Sequence, residues 1–121
     1  MKEKTILIVD NEVEVLRVLE RMLSIAGYSV IEATSGRDAI MIAKDMCPDL
    51  VILDILLPDM SGGEIANILQ NDSPTRDIPI IFLTGLLTKE EAKERSVAQG
   101  RRFIAKPFNP NEVLDEIRNH L

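Results

Sequence analysis

The chain contains no tryptophan, one tyrosine and three phenylalanines. So few rings exclude a base-stacking platform for single-stranded nucleic acid. A single cysteine, Cys47, excludes an intramolecular disulfide and fits a reducing compartment. No apolar run is long enough to cross a bilayer. The run that follows Met1-Lys2-Glu3-Lys4 ends at Asp10, too soon for a signal-peptide core and its cleavage site. Basic clusters are also missing. Lys and Arg are scattered apart from Arg101-Arg102, and the formal net charge is -6, so a general grip on nucleic-acid phosphates is excluded. Ser61-Gly62-Gly63 lacks the Lys-Ser or Lys-Thr ending of a phosphate loop and reads as a helix cap with a tight turn. Together these absences predict a cytoplasmic protein that uses no membrane and binds no nucleic acid directly.

What is present fits one domain over residues 1–121, with 45% hydrophobic and 28% charged residues. Five apolar runs are evident: Ile6 to Val9, Tyr28 to Ile31, Leu50 to Leu53, Ile78 to Leu83 and Phe103 to Ala105. The first, third and fourth are nearly continuous in Ile, Leu and Val, as expected of parallel strands covered on both faces. Between the runs lie amphipathic stretches with helix-start pairs: Asn11 with Glu14, Ser35 with Asp38, Ser61 with Glu64, Thr88 with Glu91, and Asn109 with Glu112. Each pair sets a capping oxygen before a helix and a carboxylate in its first turn, where backbone N–H groups lack partners. Gly27, Gly100, Pro48 and Pro74 mark the helix ends. In the first helix Val15, Leu16, Leu19, Met22 and Leu23 form one apolar stripe, and Met41 and Met46 read as packing residues of the second. The pattern predicts an α/β domain, a (βα)5 doubly wound, flavodoxin-like five-stranded parallel sheet in the order 2-1-3-4-5.

In that order the carboxyl ends of the strands bind ligands, so the residues there carry the chemistry. Asp10 and Asn11 close the first run, Asp54 the third and Thr84 the fourth, and Lys106 follows the fifth. Two carboxylates from adjacent strands repel each other unless a cation intervenes or one is protonated. A hard divalent cation, Mg2+, resolves the repulsion with oxygen ligands. Asp54 is then placed to act as a carboxylate nucleophile toward phosphorus, with Lys106 and the metal offsetting charge and Thr84 donating a hydrogen bond.

The segments Ile8-Val9-Asp10-Asn11-Glu12, Leu53-Asp54 through Pro58-Asp59-Met60-Ser61-Gly62, Leu83-Thr84-Gly85 and Lys106-Pro107-Phe108 resemble the receiver domains of two-component response regulators. The resemblance covers essentially the whole chain. It implies that Asp54 is the phosphoacceptor, charged by a sensor histidine kinase or a phosphotransfer protein in a Mg2+-dependent reaction. Asp10 matches an acid that helps bind Mg2+, and the backbone carbonyl of Leu56 matches a further metal ligand. Thr84 and Phe103 match the switch pair, and Lys106 matches the phosphate-contacting lysine, with a cis Lys106-Pro107 bond. The resemblance also implies a switched surface on the fourth helix, fifth strand and fifth helix. Through that surface the domain signals to a downstream protein or output domain, with a phosphorylation-dependent homodimer as a further partner. Such a domain assists its own phosphorylation and dephosphorylation and is not otherwise an enzyme.

The sequence departs from the family at three places. Asn11 stands where a second acid is usual, which removes one negative charge from the metal site; as an N-cap the same residue also serves the first helix. Arg101-Arg102 replaces the acid-rich segment that often precedes the switch aromatic. Leu56 and Leu86, two positions beyond Asp54 and Thr84, are apolar where the family tunes phosphoryl hydrolysis, which predicts slow self-dephosphorylation. Asn11 also leaves open a second reading, a receiver-like interaction module that works without phosphorylation. A small enzyme or flavin-binding protein on the same fold finds little support, because the sequence shows no phosphate loop for a cofactor and no candidate nucleophile with a paired base.

Overall fold

The computed structural model describes residues 3–121. Met1 and Lys2, which open the N-terminal signal-peptide reading, lie outside the described residues. Ten elements alternate strictly. They are β1 (Thr5–Val9), α1 (Val13–Ile25), β2 (Ser29–Ala33), α2 (Gly36–Met46), β3 (Leu50–Leu53), α3 (Gly62–Gln70), β4 (Ile80–Thr84), α4 (Lys89–Gln99), β5 (Arg102–Ala105) and α5 (Pro110–His120). The strands form one parallel sheet in the order β2-β1-β3-β4-β5, as the sequence predicts. No described helix is long and apolar enough to cross a membrane.

The period-2 alternation of the strands divides the core in two. Ile6, Ile8, Leu50, Ile52, Ile81, Leu83 and Ile104 face α1 and α5, where Leu16, Leu19, Leu23, Val113 and Ile117 meet them. Leu7, Val9, Val51, Leu53, Phe82 and Phe103 pack on the other face with Ala39, Ala43, Ile65, Leu69 and Ala92. Val15 and Met22 flank the buried stripe of α1. Met41 and Met46 do not pack as expected, being 54% and 61% exposed. The buried stripe of α2 runs through Gly36, Ala39 and Ala43, which puts Met41 on the opposite face, while Met46, in phase with the stripe, is the last residue of the helix.

Four of the five expected caps form. Ser35, Ser61 and Thr88 accept N–H bonds from Asp38, Glu64 and Glu91, and the carboxylates of Glu91 and Glu112 answer the N–H groups of Thr88 and Asn109. The fifth does not. The N-cap of α1 is Glu12, not Asn11, and no side chain caps that end. The reason is local: the Glu12 N–H donates to Asp10 Oδ1 at 2.9 Å, and this turn delays the first helical residue to Val13. Gly27 (φ 96°) and Gly100 (φ 66°) take the left-handed conformation that ends α1 and α4, as expected. α3, however, ends at Gln70 with Asn71 as its C-cap, well before Pro74.

Candidate functional site

Val9 and Leu53 are register partners in the β1–β3 pair, so Asp10 and Asp54 leave the sheet side by side. The Asp54 N–H donates to the Val9 carbonyl at 3.0 Å and extends the ladder by one residue. Both carboxylates sit at the topological switch point yet are almost sealed from water, at 1% and 6% exposure. Thr84 ends β4 opposite Ala105 of β5, and the Lys106 N–H donates to the Thr84 carbonyl at 2.7 Å. The Lys106-Pro107 bond is cis, as expected. Lys106 runs its chain across the strand ends, and its Nζ lies 2.8 Å from Asp10 Oδ2, 3.3 Å from Glu12 Oε1 and 3.5 Å from Asp54 Oδ2.

Charge and burial set the titration of the two central groups. Burial pushes the Asp54 carboxyl above its ordinary value of 3.8, and the neighbouring Asp10 charge pushes it further. The Lys106 charge and the N–H groups of Ile55 and Leu56 pull back only part of this. Burial disfavours the Lys106 ammonium, but its hydrogen bond to Asp10, the charges of Asp10 and Asp54 and the bond to Glu12 more than offset that cost. Its pKa therefore ends above the ordinary 10.5.

Asp10, Glu12 and Asp54 each present an oxygen within 4.8 Å of the others. Three carboxylates thus face one ammonium. The donors are all hard oxygens and the charge balance is negative, which fits Mg2+. A cavity of about 340 Å³ opens onto this cluster. Asn11, Glu12, Asp54, Leu56, Thr84, Gly85, Leu86 and Lys106 line it. The Thr84 hydroxyl accepts from the Leu86 N–H at 3.1 Å, so its own proton remains available to a ligand oxygen.

The structure therefore brings Asp10, Asn11, Asp54, Leu56, Thr84 and Lys106 to one place. Phe103 is apart from them. Its ring is turned inward, 7% exposed, and stacks on Phe82 with centroids 4.8 Å apart. The Arg95 guanidinium lies 5.9 Å from the Phe103 ring centroid, and the Phe103 backbone N–H donates to Ser96 Oγ at 2.8 Å.

Two residues go beyond the sequence reading. Glu12 belongs to the acidic cluster, and its place directly after Asn11 is the only sequence signal. Asp59 accepts the N–H groups of Gly36 and Arg37 at 2.8 and 3.0 Å, which ties the loop after β3 to the N-terminus of α2. These bonds hold its carboxyl below the ordinary 3.8.

A family model for the response regulator receiver domain matches residues 6–118. The phosphate regulon transcriptional regulatory protein PhoB of Pseudomonas aeruginosa is 40% identical over 119 residues, which cover 98% of this chain and 52% of that protein. The transcriptional regulatory protein YvrH of Bacillus subtilis is 34% identical, over 100% of this chain and 50% of its own. The chain spans about half the length of these curated relatives. Among solved structures, the chemotaxis response regulator CheY4 of Vibrio cholerae matches with a TM-score of 0.86 at 30% identity, covering 99% of this chain and 100% of that one. A CheY-like receiver domain protein from Methanospirillum hungatei matches with a TM-score of 0.83 at 29% identity, covering 98% and 93%.

Proposed function

Because the chain belongs to the response regulator receiver domain family of two-component systems, we propose that Asp54 accepts a phosphoryl group from the phosphohistidine of a sensor kinase or phosphotransfer protein. The observation that carries this reading is the convergence of Asp10, Asp54 and Lys106, with Thr84 on the same cavity wall.

An Asp54 oxygen attacks phosphorus, the new O–P bond forms as the N–P bond breaks, and the imidazole leaves with the electron pair. Asp10 and Asp54, with the Leu56 carbonyl and Asn11 at the cavity wall, are the groups that would hold Mg2+. When bound, the metal supplies positive charge beside the phosphoryl oxygens and masks the repulsion between the carboxylates. Lys106 is already placed within reach of Asp54 and pairs with a phosphoryl oxygen after transfer. Thr84 donates its free proton to another. Drawing Thr84 toward the phosphoryl group strains its bond to the Leu86 N–H, which leads directly into α4. The signal is then a population shift in the face made by α4, β5 and α5, read by an output domain or partner protein.

The test is intact mass after incubation with acetyl phosphate and Mg2+, comparing wild type with Asp54→Ala. One added phosphoryl group is expected, absent from the mutant and from a chelator control. No addition, together with no binding of beryllofluoride, overturns the reading in favour of an interaction module that works without phosphorylation.

A further inference from the structure

Glu12 has a position whose usual work it does not do. It is the N-cap of α1, yet its side chain makes no capping bond. A 63%-exposed glutamate at a helix start is free to turn to solvent. Instead its carboxylate turns over the cavity to within 3.3 Å of Lys106 Nζ and joins the oxygens of Asp10 and Asp54. That is a position of like-charge repulsion, which the Lys106 ammonium relieves. The backbone holds Glu12 in place from below. Its N–H donates to Asp10 Oδ1, which leaves Asp10 Oδ2 to Lys106. Asn11, one residue earlier, offers the same cavity a neutral amide. Asn11 and Glu12 thus line one cavity, and of the two only Glu12 brings a charge to it.

We infer that Glu12 carries the second acidic ligand of the cation site, replacing the charge that Asn11 lacks by binding the metal or one of its waters. The inference rests on the proposed Mg2+-dependent reading of the site. It differs from a plain Glu12–Lys106 ion pair in its consequence. A counter-ion of Lys106 is dispensable for the metal, whereas a ligand is not.

The experiment is calorimetric titration of the unphosphorylated protein with Mg2+, so that no phosphoryl chemistry enters the readout. Glu12→Gln is expected to weaken Mg2+ binding about tenfold, and Asn11→Asp introduced into that variant is expected to restore it. Glu14→Gln removes the same unit of charge from α1 outside the cluster and is expected to change the affinity less than about twofold. Circular dichroism checks that each variant is folded, the buried Asp10→Asn included. Glu12→Gln behaving like Glu14→Gln, while Asp10→Asn abolishes binding, overturns the inference and leaves the phosphoacceptor reading standing. Absence of Mg2+ binding by the wild type overturns both.

Discussion

Asp10 and Lys106 are 96 residues apart in sequence and 2.8 Å apart in space, joined across the carboxyl ends of the sheet with little exposure of either side chain. The pair sets a counter-charge directly against one of two buried carboxylates and places the same cation beside the other. Lys106→Met keeps the apolar stem and removes the charge, so Asp10 and Asp54 face each other uncompensated. The expected loss is about 3 kcal/mol by urea unfolding without divalent cation. Saturating Mg2+ is expected to stabilise the variant more than the wild type. The pH dependence has a definite sign. The folded pKa of Lys106 is raised above 10.5, so its contribution is complete below that value and fades as pH climbs through the folded pKa. Wild type should lose stability on that alkaline limb, and Lys106→Met should lack this component.

Asp54 has the opposite linkage. Its folded pKa is raised above 3.8 by burial and by Asp10, so the ionised carboxylate costs stability at neutral pH and the cost is relieved as pH falls through the folded value. Asp54→Asn removes it. The variant is expected to gain about 1 kcal/mol near neutrality, which corresponds to about 4 °C in melting temperature for a domain of this size. The advantage should vanish below pH 3.8, where the carboxyl is protonated in the folded and unfolded chains alike. Melting curves from acid to neutral pH check both halves. An asparagine variant less stable than wild type at neutral pH contradicts the argument.

The sheet order was legible because apolar runs and capping pairs recur together, and each is a local signal. The strand-end residues then followed from topology alone. Local signals failed where a side chain's partner is set by the fold. Asn11 carries cap chemistry, but the turn closed by Asp10 moved the helix start to Val13. Asp59 finds its N–H partners more than twenty residues back in the chain. Met41 lies opposite the stripe of Gly36, Ala39 and Ala43 that enters the core, and Met46, in phase with that stripe, stands exposed at the end of the helix. Phe103 is held in the core by Phe82 and Arg95, contacts that the fold sets and not the neighbouring sequence.

Gly62 lets the loop after β3 press back against Asp54 and Ile55. Its N–H donates to the Ile55 carbonyl at 2.6 Å, and a Cβ at this position would strike the Asp54 backbone carbonyl and meet Ile55 Cα at 3.0 Å. Backbone atoms cannot swing aside as a flexible side chain does. Gly62→Ala is therefore expected to cost about 2 kcal/mol and to slow phosphorylation by acetyl phosphate, since the displaced atoms belong to Asp54 itself. Gly63→Ala is the control, because a Cβ there meets only Ser61 Oγ at an ordinary 3.8 Å. Equal stability of the two variants by urea unfolding would remove the close-approach explanation.

Hydrolysis of an aspartyl phosphate needs a water aligned with phosphorus, and the rim of this cavity offers little to align it. Leu56 and Leu86 both line the opening and are both 58% exposed, so two branched hydrocarbon chains stand where a polar group would hold the attacking water. An acyl phosphate on Asp54 is therefore expected to be long-lived. Leu56→Asn and Leu86→Glu each place a hydrogen-bonding group at the rim without touching Asp10, Asp54, Thr84 or Lys106. Each is expected to shorten the phosphoryl half-life by roughly tenfold, about 1.4 kcal/mol of barrier, and the pair to shorten it further. The measurement is decay of the phosphorylated mass after acetyl phosphate is removed. Half-lives unchanged in both variants would mean that water reaches phosphorus by a route these side chains do not border, with Lys106 and Thr84 setting the lifetime through the charge they place on the phosphoryl oxygens.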